Sequence, residues 1–197
     1  MGKGRRWVFG ILLLLLLVVV VFPAWLVHWR GDRGKDIVDA GTVPVLTVTS
    51  SSFVDGGVMP PKYTCDGGHV SPQLSVSALP AASRSLAWIV YDTDSPVDFV
   101  HWVAFNLPPG LRDLPEGASA QPGSLQDGVQ GGNDFDKTGY GGPCPPGQKP
   151  HHYVFHAYAL DTSLQLPEGA TREKVAQAAK GHVLAEGKIV GLYTRSK

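Results

Sequence analysis

A chain of 197 residues with 17 basic and 17 acidic side chains holds one ordinary domain plus an appendage. Six of the basic residues and one acid fall within residues 1–35, which leaves the rest with 11 against 16 and a net charge of about −5. An acidic domain without a basic stripe excludes nucleic-acid binding driven by phosphate neutralisation, and 24 Gly with 16 Pro point to turns rather than long helices.

The first element in chain order is apolar. Trp7 to Val27 is a run without a charge. As a helix it would be roughly 31 Å long, the thickness of a hydrocarbon core. A cleavable signal peptide should have a shorter apolar region and a small-x-small site; Phe22 stands three residues before the candidate cleavage point after Ala24, and no cysteine follows to carry a lipid. The expectation is a transmembrane signal anchor in residues 1–29, crossing through 7–27, bracketed by Trp7, Trp25 and Trp29. The positive charges before and after the run are nearly balanced. The leading cluster Lys3, Arg5, Arg6 favours a cytoplasmic N-terminus and a cell-membrane, single-pass protein with its domain outside the cytoplasm. Residues 30–42 read as a polar linker, and the folded domain as 43–197.

Within the domain, Val45–Thr49 reads as a first strand. Leu86–Tyr91 reads as a buried strand, His101–Leu107 as another stopped by Pro108 and Pro109, His152–Leu160 as a fourth, and Lys188–Tyr193 as the last. One helix is expected after Thr171, a good N-cap, ending at Gly181 or Gly187. Its apolar face would carry Val175, Ala178, Ala179, His182 and Val183, which makes His182 a core residue. Leu111–Pro150 is too rich in Gly and Pro for regular structure to be assigned. The reading is a mainly β, antiparallel domain with a small helical component near its C-terminus.

Polar groups gather at the ends of the expected strands. Asp92-Thr-Asp-Ser-Pro96 follows one strand, His101-Trp102 opens the next, and Gly139-Tyr-Gly-Gly-Pro-Cys-Pro-Pro146 leads to His151 and Tyr153. If the strands pair as hairpins, these converge at one end of the sheet. Such a pocket could donate hydrogen bonds to an anionic oxygen while packing an apolar group. Each piece also has a plain reading: Asp after a strand is commonly an Asx turn, and His in a strand a hydrogen-bonded core residue. His156 has no clear facing, and His69 and His28 carry no pattern.

Taken in order, Asp92-x-Asp94-x-Pro96, His101-Trp102, Asn133-Asp-Phe-x-Lys-Thr-Gly-Tyr-x-Gly-Pro-Cys-Pro-Pro146 and His151-x-Tyr153 resemble the signature of the phosphatidylethanolamine-binding protein family, which includes the Raf kinase inhibitor proteins. Pro61-Lys-Tyr-Thr-Cys-Asp-Gly67, Ser71-Pro72, Gly181-His-Val-Leu184 and Gly191-x-Tyr193 are similar to its bacterial members. The resemblance spans about residues 45 to 195. It implies a large antiparallel sheet packed on a smaller one with a few peripheral helices. It also implies a small anion pocket for phosphate or phosphorylated headgroups, using Asp92, His101, Pro145, Pro146, His151 and Tyr153, with Asp94 and Pro96 on the rim. Thr93 departs from the family, which often has Pro there. With only a short segment after Tyr193, the terminal helix that covers the pocket in eukaryotic members is not expected.

The expected partner is a phosphorylated small molecule or phospholipid headgroup; the alternative is an inhibitor or regulator of a protease or kinase. An enzyme is not expected: Ser95 has no G-x-S-x-G context, no metal motif is present, and a metal-dependent hydrolase ranks last. No cofactor is expected. For Cys65 and Cys144, an even count in an oxidising compartment favours a disulfide, and the resemblance puts both loops near the pocket end. Two small buried thiols are the alternative.

Overall fold

The structure, a computed structural model, describes residues 37, 42–119, 125 and 127–195. In chain order the strands are β1 (Thr47–Thr49), β2 (Gly57–Val58), β3 (Leu74–Ser77), β4 (Ser85–Asp92), β5 (Phe99–Leu107), β6 (Asp113–Leu114), β7 (Val129–Gln130), β8 (His151–Leu160) and β9 (Val183–Tyr193). A 3-10 turn spans Pro61–Tyr63 and a helix, α1, spans Arg172–Ala179. The small sheet has the order β1-β3-β6 and the large one β2-β9-β8-β4-β5-β7. Every pairing is antiparallel except β2 on β9.

The central strands owe their form to composition. Ser85-Leu-Ala-Trp-Ile-Val-Tyr-Asp92 is buried along its whole length, as a strand covered on both faces must be. Side chains alternate between two cores. Trp88, Val90, Trp102, Tyr153, Phe155 and Ile189 face the small sheet, where Leu46, Leu74 and Val76 meet them. Ile89, Tyr91, Val103, Phe105, Val154 and Tyr158 face α1, against Val175 and Ala179. Each large apolar side chain so buried contributes roughly 1.5–3 kcal/mol, so the two cores dominate the stability. Asp36–Lys197 forms one compact unit.

The mainly β fold with a large and a small sheet is as expected, and all five strands read from the sequence exist. The largest extension is in β9, which begins at Val183 rather than Lys188. Thr171 is the N-cap in extended conformation, although its hydroxyl makes no capping bond. His182 is not core. It follows the helix, which stops before Lys180, and its side chain is half exposed, with Nδ1 2.8 Å from Asp161 Oδ1. The change to positive φ at Gly181 turns the chain away before the helical face reaches His182.

The membrane placement is corrected as well. Among the described residues, no helix is long and apolar enough to cross a membrane, so the structure does not carry the single-pass, membrane-anchored placement. The run from residue 7 to 27, on which that placement rested, lies outside the described residues.

Candidate functional site

Strand register brings the polar segments together. Asp92, the last residue of β4, pairs with Phe99 on β5 and with Tyr153 on β8. His151, the first residue of β8, pairs with Tyr193 at the end of β9. One end of the large sheet therefore carries Asp92, His101, His151, Tyr153 and Tyr193.

His101 reaches this end through a break in the ladder. Val90 pairs with Trp102 and Tyr91 with Val100, so His101 has no partner on β4. An extra residue of this kind re-aims a side chain. Trp102 lies in the core facing the small sheet and Val100 in the core facing α1. The His101 ring meets Tyr153, on the small-sheet side, edge-on with centroids 5.1 Å apart. Without the bulge, strict alternation would send His101 to the face opposite Trp102.

Both histidines are held by Nδ1. The Nδ1 of His101 is 2.7 Å from the Gly141 carbonyl oxygen, and that of His151 is 2.7 Å from Asp92 Oδ2. A carbonyl or carboxylate oxygen accepts, so each Nδ1 carries the proton and donates. Among the described residues, neither Nε2 has a hydrogen-bond partner. Asp92 also accepts from the Asp94 amide at 2.9 Å and from Ser95 Oγ at 3.3 Å. Asp94 in turn accepts from His152 N at 2.7 Å and from His152 Nδ1 at 2.8 Å, which staples the turn after β4 to β8. These bonds, the backbone one first, hold the Asp94 carboxyl below its ordinary range.

Burial is the largest influence on His101 and pushes its pKa down, against the Gly141 bond and the charges of Asp92 and Asp134. Tyr153 lies beside both imidazoles, stacked on His151 at 6.5 Å, and its buried hydroxyl, near the Asp92 carboxylate, makes no well-aligned hydrogen bond among the described residues. Burial first, then the charge of Asp92, raises its pKa and keeps the phenol protonated as a donor.

The loop from Gly139 to Pro146 closes the arrangement. Gly141 N donates to the His101 carbonyl oxygen at 2.8 Å. A Cβ on Gly141 would lie 2.5 Å from the Phe135 ring, so only glycine permits this approach. Cys144 is bonded to Cys65 with Cα atoms 5.4 Å apart, and Pro143 O accepts from Cys65 N. The expected pairing of the two cysteines is present. Pro145 is buried and Pro146 exposed as the loop turns towards His151, and Pro96 is exposed in the turn after Asp92.

The family profile described as phosphatidylethanolamine-binding protein matches residues 49–194. The chain belongs to the phosphatidylethanolamine-binding protein family. A UPF0098 protein of Pyrococcus abyssi is 45% identical over 185 residues, 91% of this chain and 98% of that protein. Another, from Methanothermobacter thermautotrophicus, is 47% identical over 152 residues, 76% of this chain and 99% of that protein. A crystal structure of a phosphatidylethanolamine-binding protein homologue from Chlamydia trachomatis superposes with a TM-score of 0.71 at 39% identity, covering 77% of this chain and 99% of that one. The structure of E. coli YbcL, a member of the mammalian phosphatidylethanolamine-binding protein family, gives 0.72 at 33% identity with the same coverage.

For a phosphatidylethanolamine-binding protein, the sheet end holds residues that motif reading passed over. Phe99 and Phe135 pack edge-on against His101, at 5.3 and 5.2 Å, and against each other at 4.8 Å. Asn133, buried, donates to Gly139 O and accepts from the amides of Phe135 and Lys137, which shapes that loop. His69 Nδ1 accepts from Gly142 N at 3.1 Å. The residues Asn133 and Phe135 were visible inside the family signature, but nothing in their spacing gave them a role. Among the described residues, no group of three or more His, Cys, Asp or Glu is placed to hold a metal ion.

Proposed function

We propose that the sheet end is a binding site for a small phosphorylated ligand, a phospholipid headgroup or a free phosphate, within a binding unit of residues 43–197. The observation that carries this reading is that His101 and His151 are both anchored through Nδ1, which leaves two Nε2 atoms at the same sheet end as a buried Tyr153 hydroxyl that, among the described residues, makes no well-aligned hydrogen bond. A buried donor without a well-aligned hydrogen bond is destabilising, and an anionic oxygen of a ligand would supply a better-placed acceptor. His151 presents its Nε2 with the ring oriented by the Asp92 carboxylate, and Tyr153 contributes a neutral donor. His101 gains a proton as negative charge arrives, after which its Nε2 donates as well. In this reading Asp92, His101, His151 and Tyr153 form the floor, Pro145 and Pro146 a rigid wall, and Asp94 and Pro96 the rim.

Titration calorimetry with phosphoethanolamine and with inorganic phosphate tests the proposal and separates the two sources. Losing one hydrogen bond to a charged group costs roughly 1.5–3 kcal/mol, about 10- to 150-fold in affinity. Tyr153→Phe and His151→Ala are each expected to weaken binding by that factor with the fold retained. Unchanged affinity in both variants would falsify the assignment.

A further inference from the structure

Arg172 is an anomaly on the other face of the large sheet. It opens α1, is 5% exposed, and its Nη1 is buried with no hydrogen-bond partner among the described residues. Its Cζ sits 4.4 Å over the Tyr91 ring, and Nη1 is 3.6 Å from Asp98 Oδ2. A guanidinium removed from water is expensive, and replacing such a pair by apolar groups is often neutral or stabilising. Helix packing alone does not call for it, because Val175 and Ala179 already seat α1 on the sheet.

The two groups that Arg172 touches share one property. Tyr91 immediately precedes Asp92, and Asp98 immediately precedes Phe99, so they flank the connection that carries Asp92, Asp94, Ser95 and Pro96. Tyr91 faces α1, and Asp92 turns to the opposite side. Beyond Asp98, the Phe99 ring packs on His101. One buried cation thus pins both ends of the segment, by a ring contact at one end and a charge pair at the other.

We infer that Arg172 is a positioning residue for the site on the far face, tying Tyr91 to Asp98 so that the connection between β4 and β5 holds Asp92 against His151. The role as a ligand site rests on the function proposed above; the tie itself does not.

Hydrogen exchange followed residue by residue tests the tie without any ligand. The Asp94 amide is bonded to Asp92 and the His152 amide to Asp94, so both report on the connection. In Arg172→Met, exchange at Asp94 and His152 is expected to accelerate about tenfold or more, while Trp88 and Ile89 in the middle of β4 keep their rates. Arg172→Lys, which retains a cation, should restore most of the protection. Asp98→Asn should reproduce the Arg172→Met pattern, and it carries the test if the methionine variant does not fold. Unchanged rates at Asp94 and His152, or equal acceleration across β4 in both variants, overturns the inference. Inorganic phosphate affinity, measured in the same variants, should fall with the loss of protection. If the unsubstituted protein binds no phosphate, the ligand reading fails, and the exchange pattern still decides the role of Arg172.

Discussion

At His101 two opposing influences meet. Removal from water disfavours the imidazolium, while the Gly141 carbonyl and the carboxylates of Asp92 and Asp134 favour it; burial wins and the pKa falls below its ordinary value. In the unfolded chain the ring titrates near its reference value of about 6.5. The folded value is lower, so the unfolded state binds the proton first as pH drops. The stability linked to this group is fully present above the unfolded pKa and is lost as pH falls towards the folded one. Urea unfolding at pH 7.5 and pH 5.5 should therefore show a decline, and His101→Gln, which keeps a donor for Gly141 but cannot titrate, should flatten it. The carboxylates held below their ordinary range, Asp94 among them, lose their contribution at more acid pH and leave this window undisturbed. An identical decline in His101→Gln would show that other groups set the pH dependence.

The element that makes the site is the hairpin of β4 and β5 with its bulge, braced by the loop that delivers the Gly141 carbonyl. A methyl group at Gly141 would meet the Phe135 ring at 2.5 Å and must displace either the ring or the loop. Overpacking of this kind costs typically 1–3 kcal/mol, so Gly141→Ala is expected to lower unfolding stability by about that much, read as a shifted urea midpoint. It should also upfield-shift or broaden the His101 Nδ1 proton in NMR spectra as its acceptor moves; an unperturbed signal would show that the loop tolerates the side chain. This scale also explains what the sequence could reveal. The long strands β4, β5 and β8 are predominantly apolar or aromatic, with their polar residues mostly towards the ends, so they were readable. The pieces β2, β3, β6 and β7 have two to four residues each, too few for any period to appear. The early part of β9 was hidden by Gly187, where a Cβ would lie 2.3 Å from the Leu46 carbonyl oxygen. Asp92, His101, His151 and Tyr153 could be nominated by motif, but the bulge that turns His101 is a matter of register and leaves no mark in composition. Arg172 was invisible for a related reason: its partners Tyr91 and Asp98 come from a strand end and a connection far away in the chain.

Across the whole molecule, the bond between Cys65 and Cys144 joins the turn after the 3-10 segment to the loop that leads into β8. It closes a sequence separation of 79 residues. In the chain-entropy model, a loop of that length restricts the unfolded state by about 4.5 kcal/mol. The folded state has further ties at the same place: Cys65 N donates to Pro143 O at 3.0 Å, Tyr140 Oη to Tyr63 O at 2.9 Å, and Gly142 N to His69 Nδ1 at 3.1 Å. Asp66, next to Cys65, accepts from Tyr193 Oη at 2.6 Å and from Arg195 Nε at 3.1 Å, so the turn at Cys65 also fastens the end of β9. Because these ties survive when the sulfurs part, the reduced protein should stay folded under mild conditions while its reserve of stability shrinks. The site should feel the change as well, since Gly141, which holds His101, lies three residues before Cys144 in the stapled loop. The expected outcome is that Cys65→Ala with Cys144→Ala lowers unfolding free energy by about 2–4 kcal/mol, and that dithiothreitol produces the same loss in the unsubstituted protein but none in the double variant. Phosphate affinity should drop on reduction alongside it. Equal urea midpoints for the oxidised and reduced protein would mean that the hydrogen bonds around Pro143 and Tyr63 already hold the loop, and that the disulfide adds nothing to fold or site.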